Sequence, residues 1–203
     1  MPGKVVLLTG VPAVGKTTLA RYARERIAHL HVVTFGEMIF EARQREEPTI
    51  TYQEMRASPT KQAAGDSIAE ATELLIERAG ELRRTSNVLI DSHAVAKDDY
   101  GFRITPDSEA VLKRLMLDAV IVLHARPDTV LARMQSSPAG RRIVTPRQLA
   151  THEALQDAVA VAYAVASGCP VYVLEASSEL DESLASLLRV FTAIGMELTI
   201  VES

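Results

Sequence analysis

An α/β fold, a doubly wound parallel sheet flanked by helices, is predicted by two observations. Short, nearly continuous apolar runs alternate with longer segments of helical period, and the first strand-to-helix junction carries a glycine-rich loop ending in Lys16-Thr17. The predicted strands are Val5 to Thr9, His31 to Phe35, Val88 to Asp91, Ala119 to Leu123 and Pro170 to Leu174. Runs this apolar suit parallel strands covered on both faces. Helices are predicted at Thr17 to Leu30, Pro59 to Arg84, Pro106 to Leu115, Pro127 to Gln135 and Pro146 to Ser167. Proline stands at several of these starts, where the amide hydrogen it lacks would have no partner anyway. A last helix, Asp181 to Phe191, precedes a β-like tail, Met196 to Val201, expected as an edge strand.

Composition narrows the function classes. The 203 residues are 47% hydrophobic and 24% charged, which excludes a disordered chain. Lys plus Arg number 22 against 26 Asp plus Glu, so the net charge of -4 does not gather polyanions and no nucleic-acid partner is expected. Phosphate binding must then be local. Cys169 stands alone, so no internal disulfide can form. The uncharged stretch Ala158 to Leu174 is Ala-rich and broken by Ser167-Gly168-Cys169-Pro170, too short for a membrane span. No cleavable leader is recognised at Met1-Pro2-Gly3-Lys4, and a cytoplasmic protein without a membrane partner is expected. One domain, 1–203, is predicted, interrupted by two more polar regions, 36–58 and 136–147.

The loop Gly10-Val11-Pro12-Ala13-Val14-Gly15-Lys16-Thr17 fits G-x-x-x-x-G-K-[ST] between a strand and a helix. Its glycines let the backbone curl so that successive N–H groups and the positive helix end face one anion. Lys16 adds a mobile charge for the β- and γ-phosphates, the Thr17 hydroxyl suits Mg²⁺, and Thr18 extends the cradle. Asp91 closes its strand at the carboxyl edge of the sheet and is the second metal candidate, or else a turn residue before Ser92. Because Ser92 follows where motor ATPases carry a second acid, and no Asn-Lys-x-Asp motif occurs, transfer to a bound acceptor is favoured over hydrolysis or a GTPase switch.

Further motifs make the chain recognisable: Val5 to Pro12, Phe35-Gly36 with Met38 and Phe40, Met55-Arg56, Asp91-Ser92-His93, and Ala162-Tyr163 before Gly168. In order and approximate spacing, from Val5 to Leu174, these resemble the archaeal-type adenylate kinases, a branch of the P-loop nucleoside monophosphate kinases. The resemblance implies a three-layer P-loop kinase fold with a five-stranded, mainly parallel sheet. It also implies a small acceptor-binding insertion (36–58), a lid (136–147), ATP with Mg²⁺ as cofactors, AMP as acceptor, and a trimer as one possible homo-oligomer. By the same resemblance Arg56 is expected to grip the acceptor phosphate, and Arg133 and Arg141 to stabilise the moving phosphoryl group. From chemistry alone these arginines suit bidentate phosphate contact, but an arginine on a polar loop is more often simply solvated.

The sequence departs from the family in three places. Ala13 replaces a loop glycine, which demands an unstrained φ there. The lid's arginine pair is displaced to Arg141-Arg142, with Ala139 at one expected place. After His93, a Pro-Gly-rich acceptor loop becomes Lys97 to Arg103. His93 is a candidate nucleotide contact and Phe35 a candidate border of the acceptor pocket. Phe35, Met38 and Phe40 otherwise read as packing residues. His29, His31, His124 and His152 are read as structural or surface residues, since none has zinc-ligand spacing. Phosphoryl transfer from ATP to AMP is therefore the leading expectation. Transfer to another small acceptor and a nucleotide-dependent switch remain the alternatives.

Overall fold

The computed structural model describes residues 2–57, 65–97, 101–105, 109–136 and 144–201, with backbone alone at 56, 57, 65 and 66. Five strands form the main sheet: β1 (Val5–Thr9), β2 (Leu30–Thr34), β3 (Asn87–Asp91), β6 (Ala119–His124) and β7 (Val171–Glu175), in the order β2-β3-β1-β6-β7. Every pairing in it is parallel, with Leu8 opposite both Asp91 of β3 and Ile121 of β6. The sheet is thus wholly parallel, as the apolar strand pattern requires.

Alternate residues of β1 enter two separate cores. Val5 and Leu7 pack with Val88, Ile90, Val120 and Val122 beneath α2 (Phe35–Glu46), α4 (Gly65–Leu82) and α7 (Pro146–Ser167). Val6 and Leu8 pack with Leu89, Ile121 and Leu123 beneath α1 (Lys16–Arg26) and α8 (Leu180–Ala193). Both faces are therefore covered, which gives three layers. Two shorter helices, α5 (Glu109–Leu115) and α6 (Pro127–Ser136), complete the connections around β6.

The structure corrects several expected boundaries. Helix α1 ends at Arg26 rather than Leu30, because Ile27 turns extended and bridges Ile200 of the C-terminal tail. Flanking bonds from Ala28 N to Thr199 O and from Val201 N to Arg26 O, both 2.8 Å, hold that bridge. The tail therefore makes one antiparallel bridge to the segment after α1 and does not extend the main sheet.

Phe35 does not end a strand; it opens α2, with Thr34 as the extended N-cap. Helix α2 and α3 (Tyr52–Ala57) occupy the region read as a polar insertion. The buried stripe of α2 is Phe35, Met38 and Ala42, with Ile39 packed partly buried beside it, while Arg43 pairs with Glu46 and Glu47 on its polar side. At the second polar region, α6 runs to Ser136 and α7 begins at Pro146, so both ends of the expected lid are helical. A Thr145–Gln148 capping box starts α7, and left-handed Gly168 ends it at the expected breaker. No described helix is long and apolar enough to cross a membrane.

Between β3 and α5 lies an antiparallel hairpin, β4 (Val95–Lys97) and β5 (Phe102–Ile104), that sequence periodicity did not predict. Strands of three residues are too short to show an alternation.

Candidate active site

The glycine-rich loop leaves the sheet at Thr9 and re-enters regular structure at α1. Gly10 has φ 147°, and a Cβ there would lie 2.5 Å from the Leu123 carbonyl oxygen, so no side chain fits. Gly15, at φ 117°, is the N-cap of α1. Ala13 lies at φ 67°, in the left-handed region, which corrects the expectation of an unstrained φ. The alanine keeps the conformation a glycine would adopt freely, at a cost of about 1–2 kcal/mol.

Lys16 is only 4% exposed, and its Nζ donates to the carbonyls of Gly10 at 2.8 Å and Val11 at 3.1 Å. The ammonium is thereby held within the curl of the loop. Thr17 follows at the cleft floor, where its Oγ1 donates to Asp91 Oδ2 at 2.6 Å. This bond brings the two metal candidates together, with Asp91 buried at 4% exposure. Arg133, from α6, crosses the loop from above and donates to Val14 O at 3.0 Å and Ala13 O at 3.4 Å.

His93 approaches from the other side, with Nδ1 3.0 Å from Gly10 O, so the tautomer protonated at Nδ1 is the one that can donate. Beyond it the cleft widens against Thr34, Phe35, Gly36, Tyr52, Met55 and Lys97. Here Gly36 leaves room for Tyr52, whose Oη would be 3.1 Å from a Cβ. Tyr52 also meets Phe40 edge to face at 5.4 Å, so Phe40 braces the wall of the cleft. One continuous cavity of about 950 Å³ spans the glycine-rich loop and this second compartment. The backbone of Arg56 lies in α3, but its side chain is outside the described residues, as are Arg141, Arg142 and Ala139.

Sequence reasoning missed a buried polar network behind the cleft. Gln156 of α7 donates from Nε2 to Thr9 Oγ1 at 2.7 Å and accepts at Oε1 from Val95 N at 2.7 Å. His152, one turn earlier, meets Val95 O through Nε2 at 2.9 Å. Burial lowers the His152 pKa, and the nearby positive Lys16 and Lys97 push it the same way against the Val95 hydrogen bond, which raises it. The only sequence signal was two polar residues on the stripe Leu149, His152, Gln156, Val159, Ala160 and Tyr163, all of which are buried. The wall formed by Ala176, Ser177 and Ser178 after β7 was also missed. Nothing in its composition distinguishes it from an ordinary surface loop.

A strand, a phosphate-sized glycine loop, a buried lysine and a paired Thr17–Asp91 at the carboxyl edge of a parallel sheet define a P-loop phosphate-binding protein. Residues 9–150 match the AAA domain family. The adenylate kinase of Methanoculleus marisnigri is 34% identical over 204 residues, covering 93% of this chain and 100% of that protein. The adenylate kinase of Pyrococcus furiosus is 28% identical over 190 residues, covering 92% of this chain and 94% of its own. In fold, the chain resembles the shikimate kinase of Bacteroides thetaiotaomicron, with a TM-score of 0.56 and 18% identity over 93% of this chain and 98% of that one. The Deinococcus radiodurans tunicamycin resistance protein has the same TM-score, 0.56, at 14% identity over 97% and 99% of the two chains. The chain belongs to the archaeal adenylate kinase family and is a phosphotransferase of the nucleoside monophosphate kinase class.

Proposed function

We propose that the enzyme transfers the γ-phosphoryl group of ATP to AMP, giving two ADP. The observation that carries this reading is the single 950 Å³ cleft, with the phosphate cradle at one end and an apolar compartment containing Phe35, Tyr52 and Met55 at the other. Such a cleft suits two nucleotides bound phosphate to phosphate. In this reading Lys16 and the backbone of 10–17 hold the donor phosphates, and Arg56 grips the acceptor phosphate. Arg133 and Arg141 neutralise charge as the phosphoryl group moves. An AMP phosphate oxygen is already anionic, so no catalytic base is needed.

The donor set at the cleft floor fits Mg²⁺: a helix-start hydroxyl and a buried carboxylate, both hard oxygens, converge at 2.6 Å. Thr17 and Asp91 would hold the ion, directly or through water. When bound, it would neutralise charge on the donor's phosphates. The protein's own part is to fix those two oxygens beside Lys16 and to keep the cradle rigid around them.

A second reading, transfer to another small acceptor, is favoured by one feature. The β4–β5 hairpin, in place of the family's Pro-Gly-rich loop, brings Lys97 to the acceptor compartment. Measuring ADP formed from ATP with AMP, CMP, UMP, GMP or no acceptor separates the readings. AMP should be the best acceptor, and a faster reaction with another phosphate acceptor would replace it.

A further inference from the structure

Strand β4 has two edges, and among the described residues only one of them faces another strand. Thr105 N donates to Ala94 O at 3.0 Å beside the β4–β5 ladder, in which Val95 is opposite Ile104. The polar groups of Val95 instead meet α7, where Gln156 accepts from its N–H and His152 meets its carbonyl. Two helix side chains thus take the place of a neighbouring strand. The other end of the Gln156 amide holds Thr9 Oγ1, which also accepts from Ala94 N at 2.9 Å. Gln156 is 1% exposed and Thr9 fully buried, so water cannot substitute for these bonds.

The two ends of this clamp are unequally supported. Thr9 belongs to β1, which pairs with β3 over Val5 to Leu8 and with β6 over Val6 to Thr9, where Thr9 itself is opposite Val122. The segment after Asp91 has left the main sheet, and it carries His93 and Lys97 to the cleft wall. Loss of the clamp should therefore displace His93 to Lys97 and leave the glycine-rich loop in place. We infer that Gln156 is a positioning residue that fixes the 93–97 segment, and with it the acceptor side of the cleft, against the phosphate-loop strand. The inference rests on the proposed reaction only for the choice of AMP as acceptor.

The test compares Gln156→Leu, Thr9→Val and Thr9→Ser with the native enzyme. Kinetics are measured with ATP and AMP, and backbone amide exchange is followed over residues 94–97. Gln156→Leu leaves Val95 N unpaired, while the isosteric Thr9→Val removes the shared oxygen with little change of volume. Both should raise the acceptor KM about tenfold or more, as expected for an unpaired buried polar group, and keep the ATP KM within about twofold. Amide exchange over 94–97 should speed up in both, and Thr9→Ser should restore native behaviour. Folded variants with lower thermal stability but native KM values and native exchange at 94–97 would overturn the inference. Equal rises in both KM values would overturn it too. If the native enzyme fails with AMP but uses another acceptor, the proposed function falls, while the same variants assayed with that acceptor still decide the role of Gln156. If it uses none, exchange at 94–97 decides.

Discussion

Thr17 Oγ1 donates a 2.6 Å hydrogen bond to Asp91 Oδ2, joining the first turn of α1 to the last residue of β3. In the proposed reading this hydroxyl and this carboxylate are the two hard oxygens that would hold Mg²⁺. Asp91→Asn should therefore raise the Mg²⁺ concentration needed for half-maximal turnover by about tenfold or more, the loss expected for a charged contact of ~1.5–3 kcal/mol. ATP binding measured without metal should change little. An unchanged Mg²⁺ titration would reduce Asp91 to a residue that only anchors α1.

Ala13 provides a test of backbone strain. Its φ of 67° costs an alanine about 1–2 kcal/mol, whereas glycine adopts it freely. Glycine also loses more freedom on folding, which takes back about 0.5–1 kcal/mol. Ala13→Gly should then stabilise the protein by up to about 1.5 kcal/mol in urea unfolding. A destabilised variant would show that another contact sets this φ.

The arginines divide by kinetics. Arg56→Ala should raise the AMP KM by about tenfold or more with little effect on the ATP KM, as loss of a charged hydrogen bond of ~1.5–3 kcal/mol requires. Arg133→Ala removes a guanidinium that already lies over Ala13 and Val14. If it acts on the phosphoryl group in transit, its effect should fall on kcat, because an interaction made mainly in the transition state adds little to ground-state binding. A pure KM effect at Arg133 would assign it to ground-state binding.

His152 titrates against the fold. Burial holds its folded pKa below the 6.5 of a free histidine, so unfolding takes up a proton when the pH lies between the folded pKa and that value. Its contribution to stability is therefore complete at neutral pH and is lost as the pH falls from about 6.5 towards the folded pKa. His152→Gln keeps a donor for Val95 O and removes the titration. Urea unfolding between about pH 7.5 and 5 should show a smaller acid-side loss in the variant than in the native protein. Equal losses would mean that other groups account for the acid sensitivity.

The main sheet was legible because strands covered on both faces are nearly continuous apolar runs, as in Val5 to Leu8 and Ala119 to Leu123. The phosphate loop was legible because its chemistry demands glycines at fixed spacing. Helix α2 was hidden, since three buried residues, Phe35, Met38 and Ala42, face the core while charges dominate the rest. The end of α1 at Arg26 depended on the tail more than 170 residues away, a contact no local pattern records. For Gln156 the difficulty was different. A glutamine amid alanines and valines reads as a surface residue until Thr9 and Val95 are brought against it.

In the proposed reaction, phosphate leaves ATP for AMP within one cleft. Following γ-labelled ATP mixed with unlabelled AMP tests it most directly, because the fate of the label separates transfer from hydrolysis. The label should appear in the β-phosphate of ADP, one labelled ADP for each AMP consumed, and this transfer should disappear in folded Lys16→Met. Label released as inorganic phosphate at the same rate with or without AMP would contradict the claim.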